Sequence, residues 1–277
     1  MGITFNGRHS DEFGVPFRTV STSIMPPKRQ TKLSVQGRDG EYIFEDGYGN
    51  IEIELAGTIP GYEIIDRRKK ARQIAEWLSA TGKLIFDYEE DVEYQVVKVT
   101  NDIEASMFSR QYKDEFTVIL ECKPHPNQTF YNDSLTWDEA KIPWKYLDVS
   151  WSSEGYDRTF EVSSGQTIEV VNAGTYKTLP IITLTGNATS ITIQGFNYTT
   201  PEGIIKEGSL TFNNLSGTVY IDCGNQVVYS LSGTTKVNKI LDFDGDFPEL
   251  LPGANQFEIS GTITSLTIEF DYKNTYL

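Results

Sequence analysis

The chain offers few side chains that are suited to catalysis. Histidine is the usual general acid or base near neutral pH, and the sequence contains two, His9 and His125. His125 lies between Pro124 and Pro126 in a rigid extended segment with no evident catalytic partner, so a structural histidine is the favoured interpretation. We predict no enzyme activity and no catalytic residues. A carboxylate pair that hydrolyses glycosides stays open as an alternative, because its spacing in space leaves no linear signature.

Two further stretches resemble ligand-binding loops without meeting their requirements. The run Asp242-Phe243-Asp244-Gly245-Asp246 is similar to a calcium loop, but its glycine comes two positions too early and no flanking helices are predicted. The Gly-rich stretch 45–50 lacks the lysine and the following helix of a phosphate-binding loop. The sequence therefore predicts a solvated acidic turn, no metal site and no cofactor.

Composition indicates a globular chain of two domains. A length of 277 residues exceeds one ordinary domain, and 38% hydrophobic residues with 15 Tyr and 15 Phe supply two cores. The net charge of −15 disfavours a nucleic-acid clamp. Cys122 and Cys223 lie too far apart for a disulfide-built scaffold, so we expect buried thiols. No apolar run reaches the roughly 20 residues of a membrane span and the N-terminus lacks signal-peptide features, so we expect synthesis in a cytoplasm and no membrane insertion.

The N-terminal half is predicted to contain strands around one helix. Apolar residues recur with the period of a helix at Ala71, Ile74, Ala75 and Leu78, which predicts a helix over 66–80. An Asp-Gly pair within 37–40 predicts a hairpin turn. Alternation with a period of two predicts strands at Ile51–Leu55, Leu84–Tyr88, Gln95–Val99 and Phe116–Cys122, and Glu89-Glu90-Asp91 is expected at a hairpin tip.

The predicted helix carries a basic run in its first half, composed of Arg67, Arg68, Lys69, Lys70 and Arg72. Such a run could bind DNA or an acidic partner surface. Charge runs on amphipathic helices usually face water, so a solvated face is the favoured interpretation.

The C-terminal half has the rhythm of a β-sandwich, with short strands interrupted by Gly or Asn about every ten residues. Turns are expected at Gly174, Gly186-Asn187, Gly195, Asn213-Asn214, Gly224-Asn225, Gly233 and Pro252-Gly253. The predicted strands are Phe160–Val162, Thr167–Val171, Ile181–Thr185, Ser190–Gln194, Ser209–Phe212, Thr218–Asp222, Gln226–Tyr229, Gln256–Ser260 and Ser265–Tyr272.

Four stretches in a fixed order carry a resemblance to a known family. They are Phe5-Asn6-Gly7 through Phe13-Gly14, Gly37–Gly40, Asn172-Ala173-Gly174-Thr175 through Pro180, and Phe247-Pro248 through Leu251-Pro252-Gly253-Ala254-Asn255. Each stretch alone is a turn motif, and their order is more specific than any one of them. In this order they resemble the distal tail proteins (Dit family) of long, non-contractile-tailed bacteriophages and prophages, and the resemblance runs from Phe5 to Leu277.

The resemblance implies a mainly β chain of two domains. Residues 1–137 would form a tail-tube-like β domain with one helix that assembles into a ring, and residues 138–277 a galectin-like β-sandwich outside that ring. It further implies a structural component at the distal end of the phage tail. Its homo-hexameric ring, possibly doubled, would join the tail tube protein to the tail-tip hub protein and hold receptor-binding or baseplate proteins. DNA would pass through the central channel, and an acidic lining would let it pass without specific binding.

Other functions are open at this point. Trp144, Trp151, Tyr156, Tyr176 and Tyr198 could stack on sugars, which would make the chain a carbohydrate-binding module for host cell-wall glycans, although core packing is the favoured role for these rings. An enzyme that acts on the host wall is a second alternative. A tail-tube subunit is a third, and it leaves the second domain unexplained.

Overall fold

The computed structural model of the chain describes residues 2–34, 36, 39–104, 113–129, 158–200 and 203–277. They form two compact units, residues 2–129 and 158–276. The expected mainly β fold with one helix in the first unit is confirmed for these residues. The expected domain boundary between residues 137 and 138 lies outside them. Within the same residues, no helix is both long and apolar enough to cross a membrane.

The first unit is an antiparallel sheet covered on one face by a helix. The sheet has the order β2-β1-β7-β8-β9-β6-β3, β10 pairs with β8, and β4 and β5 form a separate two-stranded sheet. The elements are β1 (Ile3–Phe5), β2 (Arg8–His9), a 3-10 turn (Ser10–Phe13), β3 (Phe17–Thr22), β4 (Lys28–Ser34), β5 (Glu41–Tyr48), β6 (Ile51–Pro60), α1 (Ile64–Leu78), β7 (Gly82–Phe86), β8 (Glu89–Val99), β9 (Lys113–Cys122) and β10 (Asn127–Gln128).

Helix α1 closes the core of this unit through Ile74, Trp77 and Leu78, which are all buried. The Trp77 ring stacks on Phe13 with ring centroids 4.7 Å apart, and its indole N–H donates to the carbonyl of Phe5 at 3.0 Å. The helix begins two residues before its predicted start at 66 and ends at Leu78 rather than 80. The assignment of Ala75 to the buried stripe is wrong, because the buried face is centred on Ile74, Trp77 and Leu78 and Ala75 lies on the far side of the helix from Trp77, where it is exposed.

The predicted strands Ile51–Leu55, Gln95–Val99 and Phe116–Cys122 are confirmed as parts of β6, β8 and β9, and the Asp-Gly hairpin is confirmed as the pair β4–β5. The predicted strand Leu84–Tyr88 is confirmed only up to Phe86, where β7 ends. The acidic triplet at 89–91 is not a hairpin tip. Phe86 pairs with Glu89, so Asp87 and Tyr88 form the turn and the triplet begins β8.

The second unit is built on three long strands, and the prediction of short separate strands is wrong for these. The pairs of strands predicted on either side of 186–187, of 213–214 and of 261–264 are each one continuous strand. Turns are nevertheless present at 224–225 and 233, as predicted. The strands are β11 (Thr159–Glu161), β12 (Gln166–Asn172), β13 (Ile181–Thr199), β14 (Ile205–Asp222), β15 (Val227–Ser232), β16 (Thr235–Asn238), β17 (Phe243–Gly245) and β18 (Gly253–Asp271), with a 3-10 turn at Ile240–Asp242.

Each long strand bends, so that its two halves enclose the same core. Phe257 and Phe270 both belong to β18 and would lie about 43 Å apart on a straight strand. Their ring centroids are 4.9 Å apart. The bend occurs at glycines: Gly186 and Gly261 have φ of 145° and 128°, and a side chain at either position would run into the backbone of the neighbouring strand. These glycines therefore mark corners of strands, which the sequence pattern cannot distinguish from hairpin turns.

The beginning of one long strand pairs with the end of the next, which produces two layers. One layer contains β11, the ends of β18 and β14, the beginning of β13, and β15 and β16. The other contains β12, the beginnings of β18 and β14, the end of β13, and β17. The core between the halves includes Leu184, Ile191, Phe212, Phe257 and Phe270.

Buried asparagines fix the loops that carry the Dit-like motifs. The Asn172 amide donates to the carbonyls of Tyr176 and Leu250, and its oxygen accepts from the backbone of Gly174. The Asn255 amide donates to the carbonyls of Val170, Leu251 and Gly253. A buried amide that pairs with several backbone groups holds an irregular loop in one conformation, because each of those groups would otherwise lose water without replacement.

Candidate assembly surfaces

The hairpin β4–β5 is the least covered element of the first unit. Its base is fixed by a hydrogen bond from the Gly49 N–H to the carbonyl of Pro27 at 2.7 Å, and by the Tyr48 ring, which packs on His125 with centroids 5.1 Å apart. Beyond this base every residue of β4 is exposed. A two-stranded hairpin is marginally stable unless something packs on it, so this arm is suited to a partner.

The two faces of the hairpin differ in polarity. Cross-strand partners share a face, so the pairs Leu33–Tyr42 and Thr31–Phe44 lie on one side. Leu33 is 52% exposed and Phe44 53%. The other side carries the ion pair between Lys32 and Glu41 at 3.7 Å, together with Ile43, which is 55% exposed. Exposed apolar side chains thus predominate on the face of Leu33, Tyr42 and Phe44, and such an open apolar face is typical of an interaction surface.

A second surface is the face of the main sheet that points away from α1. Alternation along β6 and β9 directs their apolar side chains to the core and their polar ones to this open face. Carboxylates outnumber cations on this open face. The carboxylates are Glu52, Glu54, Glu115 and Glu121, with Asp102 and Glu104 at the border, and the cations are Arg18, Lys98 and Lys113.

Hydrogen bonds favour the ionised form of two carboxylates on this open face, Glu121 and Glu115. The pKa of Glu121 is lowered, first by the Asn50 amide at 2.7 Å and then by Lys98 at 2.9 Å. The pKa of Glu115 is lowered by Lys113, which donates to it at 2.9 Å. The open face is therefore a negatively charged surface at neutral pH.

A cleft of about 330 Å³ lies at the border of the open face. Arg18, Asp102, Glu104 and Glu115 line it together with Asn101. The Asn101 side chain is fixed to strand β9 by bonds with the backbone of Ile119 and Thr117. Among the described residues, the lining combines one guanidinium with several carboxylates.

The basic run of α1 divides into one buried cation and several solvated ones. Arg68, Lys69 and Arg72 are exposed, in agreement with the favoured interpretation. Arg67 contradicts it. Its side chain is fully buried and donates from Nε to Asp114 Oδ2 at 2.6 Å and from Nη1 to the carbonyl of Gly61 at 2.9 Å. Asp114 lies two residues before the alternating run Phe116–Cys122, so it belongs to the buried face of β9. A buried carboxylate needs a counter-charge nearby, and this position is therefore the signal that predicts a buried cation.

His9 has a structural role at the start of the chain. His9 Nε2 lies 3.0 Å from Asp87 Oδ1, and the other Asp87 oxygen accepts the Gly2 N–H at 2.7 Å. His9 Nδ1 accepts the N–H of Asp11 and so caps the 3-10 turn. This cluster ties the start of the chain to the turn after β7, and it includes no nucleophile.

No three His, Cys, Asp or Glu side chains come together to hold a metal ion among the residues that the structure describes. The run 242–246 forms the end of a 3-10 turn and strand β17. Both cysteines are buried, as expected. Burial raises the pKa of the Cys122 thiol to about 12, with the Glu121 carboxylate adding to the effect. Burial likewise raises the pKa of Cys223.

Two of the five candidate sugar-stacking residues, Tyr176 and Tyr198, lie within the described part of the chain. Trp144, Trp151 and Tyr156 lie outside the described residues. Tyr176 and Tyr198 are half-buried, and each is paired through its backbone, Tyr176 with Thr275 and Tyr198 with Lys206.

Sequence reasoning missed an aromatic pair on the outer face of the second unit. Tyr220 and Tyr229 pair across β14 and β15, and their rings stack with centroids 5.2 Å apart. The Lys236 ammonium lies 4.0 Å from the Tyr229 ring centroid, on the side of β16. Tyr220 lies three residues before the turn 223–226 and Tyr229 three residues after it. Residues at equal distances from a hairpin turn face each other across the two strands, and this spacing was the available signal. Because Tyr220 and Lys236 flank the Tyr229 ring, that ring offers little free face to a sugar.

Two family models describe the class of protein to which these surfaces belong. Residues 12–122 match the model of a phage tail protein RIFT-related domain, and residues 173–276 match that of a siphovirus-type tail component, C-terminal domain. Each match falls within one of the two units, and both models describe structural components of phage tails. The chain belongs to the distal tail protein family of siphophages. It is therefore a structural component of the tail.

One solved structure has this fold over the full length of both chains. The crystal structure of SPP1 Dit (gp 19.1), described as a hub adsorption apparatus protein, matches with a TM-score of 0.65 at 14% identity and covers 100% of this chain and 99% of that one. The phage p2 baseplate in its activated conformation with Sr matches with a TM-score of 0.38 at 10% identity and covers 98% of this chain and 97% of that one. No curated protein matches the chain.

Proposed function

We propose that the chain forms a hexameric ring that joins the tail tube to the tail-tip hub and gives DNA a central channel. The ring would also hold the proteins that adsorb to the host. Membership of the distal tail protein family and the match over the full length of SPP1 Dit support this proposal. The ring would be built from the N-terminal domain, with a galectin-like sandwich outside it, and a boundary near residue 137.

The hairpin β4–β5 is the observation that carries ring formation. A ring needs two different surfaces on each subunit, so that one subunit extends to the next and the rotation closes. The apolar face of the hairpin, with Leu33, Tyr42 and Phe44 about half exposed, supplies one such surface. Such a face stays in water only in an isolated subunit, because covering it on assembly is favourable.

The open face of the main sheet supports a DNA channel. Its ionised carboxylates would repel the phosphates of DNA, so the duplex would pass without being held. The cations of α1 lie on the opposite layer, away from this face. In the proposed ring the open face lines the channel and α1 lies away from it.

The edge of the second unit supports an attachment platform. Strand β16 ends its sheet and all four of its residues are exposed. Val237 within this strand and Leu231 in the neighbouring β15 are about half exposed, and Leu241 is 97% exposed. An open edge with apolar neighbours can accept a strand of another protein, which fits an adsorption protein as partner.

Electron microscopy of the purified protein tests the ring and its channel together. We expect six-fold rings with a central hole whose wall is formed by Glu52, Glu54 and Glu115. Rings whose hole is lined by α1 would refute the proposed channel, and the absence of rings would refute the proposal as a whole.

A further inference from the structure

Four dipeptides of this chain are of the type in which the backbone attacks its own side chain. They are one Asn-Gly pair, Asn6-Gly7, and three Asp-Gly pairs, Asp39-Gly40, Asp46-Gly47 and Asp244-Gly245. The glycine nitrogen attacks the side-chain carbonyl carbon of the preceding residue and closes a five-membered succinimide ring, because glycine has no Cβ to block the approach. In unfolded chains Asn-Gly reacts faster than Asp-Gly, because an amide is a better electrophile than a carboxylate. By sequence alone, Asn6 is therefore the reactive site.

The fold locks the side chain of Asn6. Its amide group donates to the Thr81 carbonyl at 3.1 Å, and its oxygen accepts the Lys83 N–H at 3.0 Å. This contact requires a glycine at Gly82, since a Cβ at that position would overlap the Asn6 side chain. The Asn6 backbone is fixed as well, because its N–H donates to the Lys83 carbonyl at 2.9 Å. Ring closure requires the amide to turn off these partners toward the Gly7 nitrogen, so the native structure opposes the reaction.

Two of the three Asp-Gly pairs lie inside strands. Asp46-Gly47 belongs to β5, and Asp244-Gly245 belongs to β17. In β17 the two residues pair with Thr211 and Leu210 of β14. Ring closure rotates the peptide plane after the aspartate out of the extended conformation, so it requires the strand to open at these positions.

The third pair, Asp39-Gly40, lies at the tip of hairpin β4–β5. The ladder of this hairpin ends at the pair Ser34–Glu41, so neither residue belongs to it. Both residues are exposed, and Gly40 has a φ of 90° with open space where a side chain would be. Within the described part of the chain, the Asp39 carboxyl forms no hydrogen bond or ion pair. The structure therefore leaves the Asp39 carboxyl and the Gly40 nitrogen free to approach each other.

We infer that Asp39 converts spontaneously to isoaspartate in the folded protein, whereas Asn6 keeps its amide. The Gly40 nitrogen loses its proton and bonds to Cγ of Asp39, the C–O bond of the protonated carboxyl breaks, and one water molecule leaves. One water molecule then opens the succinimide at either carbonyl. Opening at Cγ restores aspartate, and opening at the main-chain carbonyl leaves Gly40 attached through the side chain of residue 39, which is isoaspartate.

The product changes the tip of the hairpin and leaves its ladder in place. The main chain becomes one carbon atom longer at residue 39, and the former α-carboxylate becomes a side group. Because pairing ends at Ser34–Glu41, the two strands keep their register. The tip is thus a modification site, and the inference does not depend on the proposed ring.

Incubation of the purified full chain in heavy-oxygen water tests the inference. Each cycle of ring closure and hydrolysis places a heavy oxygen on the residue, and peptide mass spectrometry locates it and distinguishes isoaspartate from aspartate. After several weeks in neutral buffer, we expect heavy oxygen and isoaspartate at residue 39, with far less of either at Asp46 and Asp244. We expect Asn6 to deamidate at least about tenfold more slowly in native protein than in guanidinium chloride, since its hydrogen bonds must open first.

Asp39→Glu is the matched control. It keeps the charge at the tip, but its side chain is one methylene too long to close the five-membered ring, so residue 39 should gain no isomer. Native protein that forms no isoaspartate at residue 39 while denatured protein forms it would overturn the inference. Deamidation of Asn6 at the same rate in native and denatured protein would overturn it as well, and so would conversion of Asp46 or Asp244 as fast as that of Asp39.

Discussion

Removing the charge of Asp114 should destabilise the first unit strongly. Arg67 and Asp114 are both fully buried, and their 2.6 Å ion pair joins α1 to β9. Asp114→Asn keeps the shape of the side chain and leaves the guanidinium of Arg67 buried without this counter-charge. Breaking a buried pair on one side costs about 3–5 kcal/mol, because the remaining charge has lost its water and its partner.

Replacing both partners should cost much less. One oxygen of Asp114 has no hydrogen-bond partner even in the intact pair, so the pair carries an uncompensated cost of burial. In the double variant Arg67→Leu/Asp114→Leu this cost disappears. The carbonyl of Gly61 then loses the donor Nη1 of Arg67, which should leave a net loss of about 1–2 kcal/mol.

Differential scanning calorimetry of the single and double variants measures the effect. A loss of about 3–5 kcal/mol should lower the melting temperature of the first unit by roughly 10–20 °C in Asp114→Asn. The transition of the second unit serves as an internal reference. Glu115→Gln, which breaks the neighbouring but exposed pair with Lys113, should leave the melting temperature unchanged. An Asp114→Asn protein that melts within about 2 °C of the wild type would contradict this expectation. So would a double variant that loses as much stability as the single variants Arg67→Leu and Asp114→Leu lose together.

Three further predictions concern the second unit and the thiols. Gly261→Ala should destabilise by about 3 kcal/mol or more in thermal unfolding, since its methyl group meets the Ser190 carbonyl, whereas Gly217→Ala, with open space around it, should lose only about 1–2. Asn255→Ala should cost about 3 kcal/mol, because it removes the two amide hydrogens that three carbonyls share and the oxygen that accepts the Leu251 N–H, and a loss below about 1 would contradict that role. Iodoacetamide at pH 8 should modify Cys122 only after denaturation, because a pKa of about 12 leaves a thiolate fraction on the order of 10⁻⁴, and rapid labelling of native protein would disprove its burial.

Local patterns predicted most elements of the first unit. The alternation in β6 and β9 and the helical period of α1 are set by one buried face each, and they can be identified from neighbouring residues alone. The buried pair of Arg67 and Asp114 was missed because its partners lie 47 positions apart and Arg67 belongs to a run of solvated cations. The alternation of buried and exposed residues in β9, extended back by two residues, places Asp114 on the buried face. This alternation was the one available signal for the buried ion pair.

The long strands of the second unit escaped prediction for a different reason. Gly186 and Gly261 give the same sequence signal whether the chain reverses or bends there. Whether pairing continues through the glycine is decided by the partner strand, which lies far away in sequence. The pair β4–β5 was predicted as a hairpin, but its apolar open face appeared only once the register placed Leu33 opposite Tyr42.

The chain is proposed to close into a ring with copies of itself. Native mass spectrometry of the purified protein over a range of concentrations tests ring closure without any assumption about partners. We expect a discrete hexamer, or a doubled ring of twelve, with few intermediate species, because the last contact closes the ring. A monomer at every concentration, or an open series of sizes without a preferred number, would contradict it.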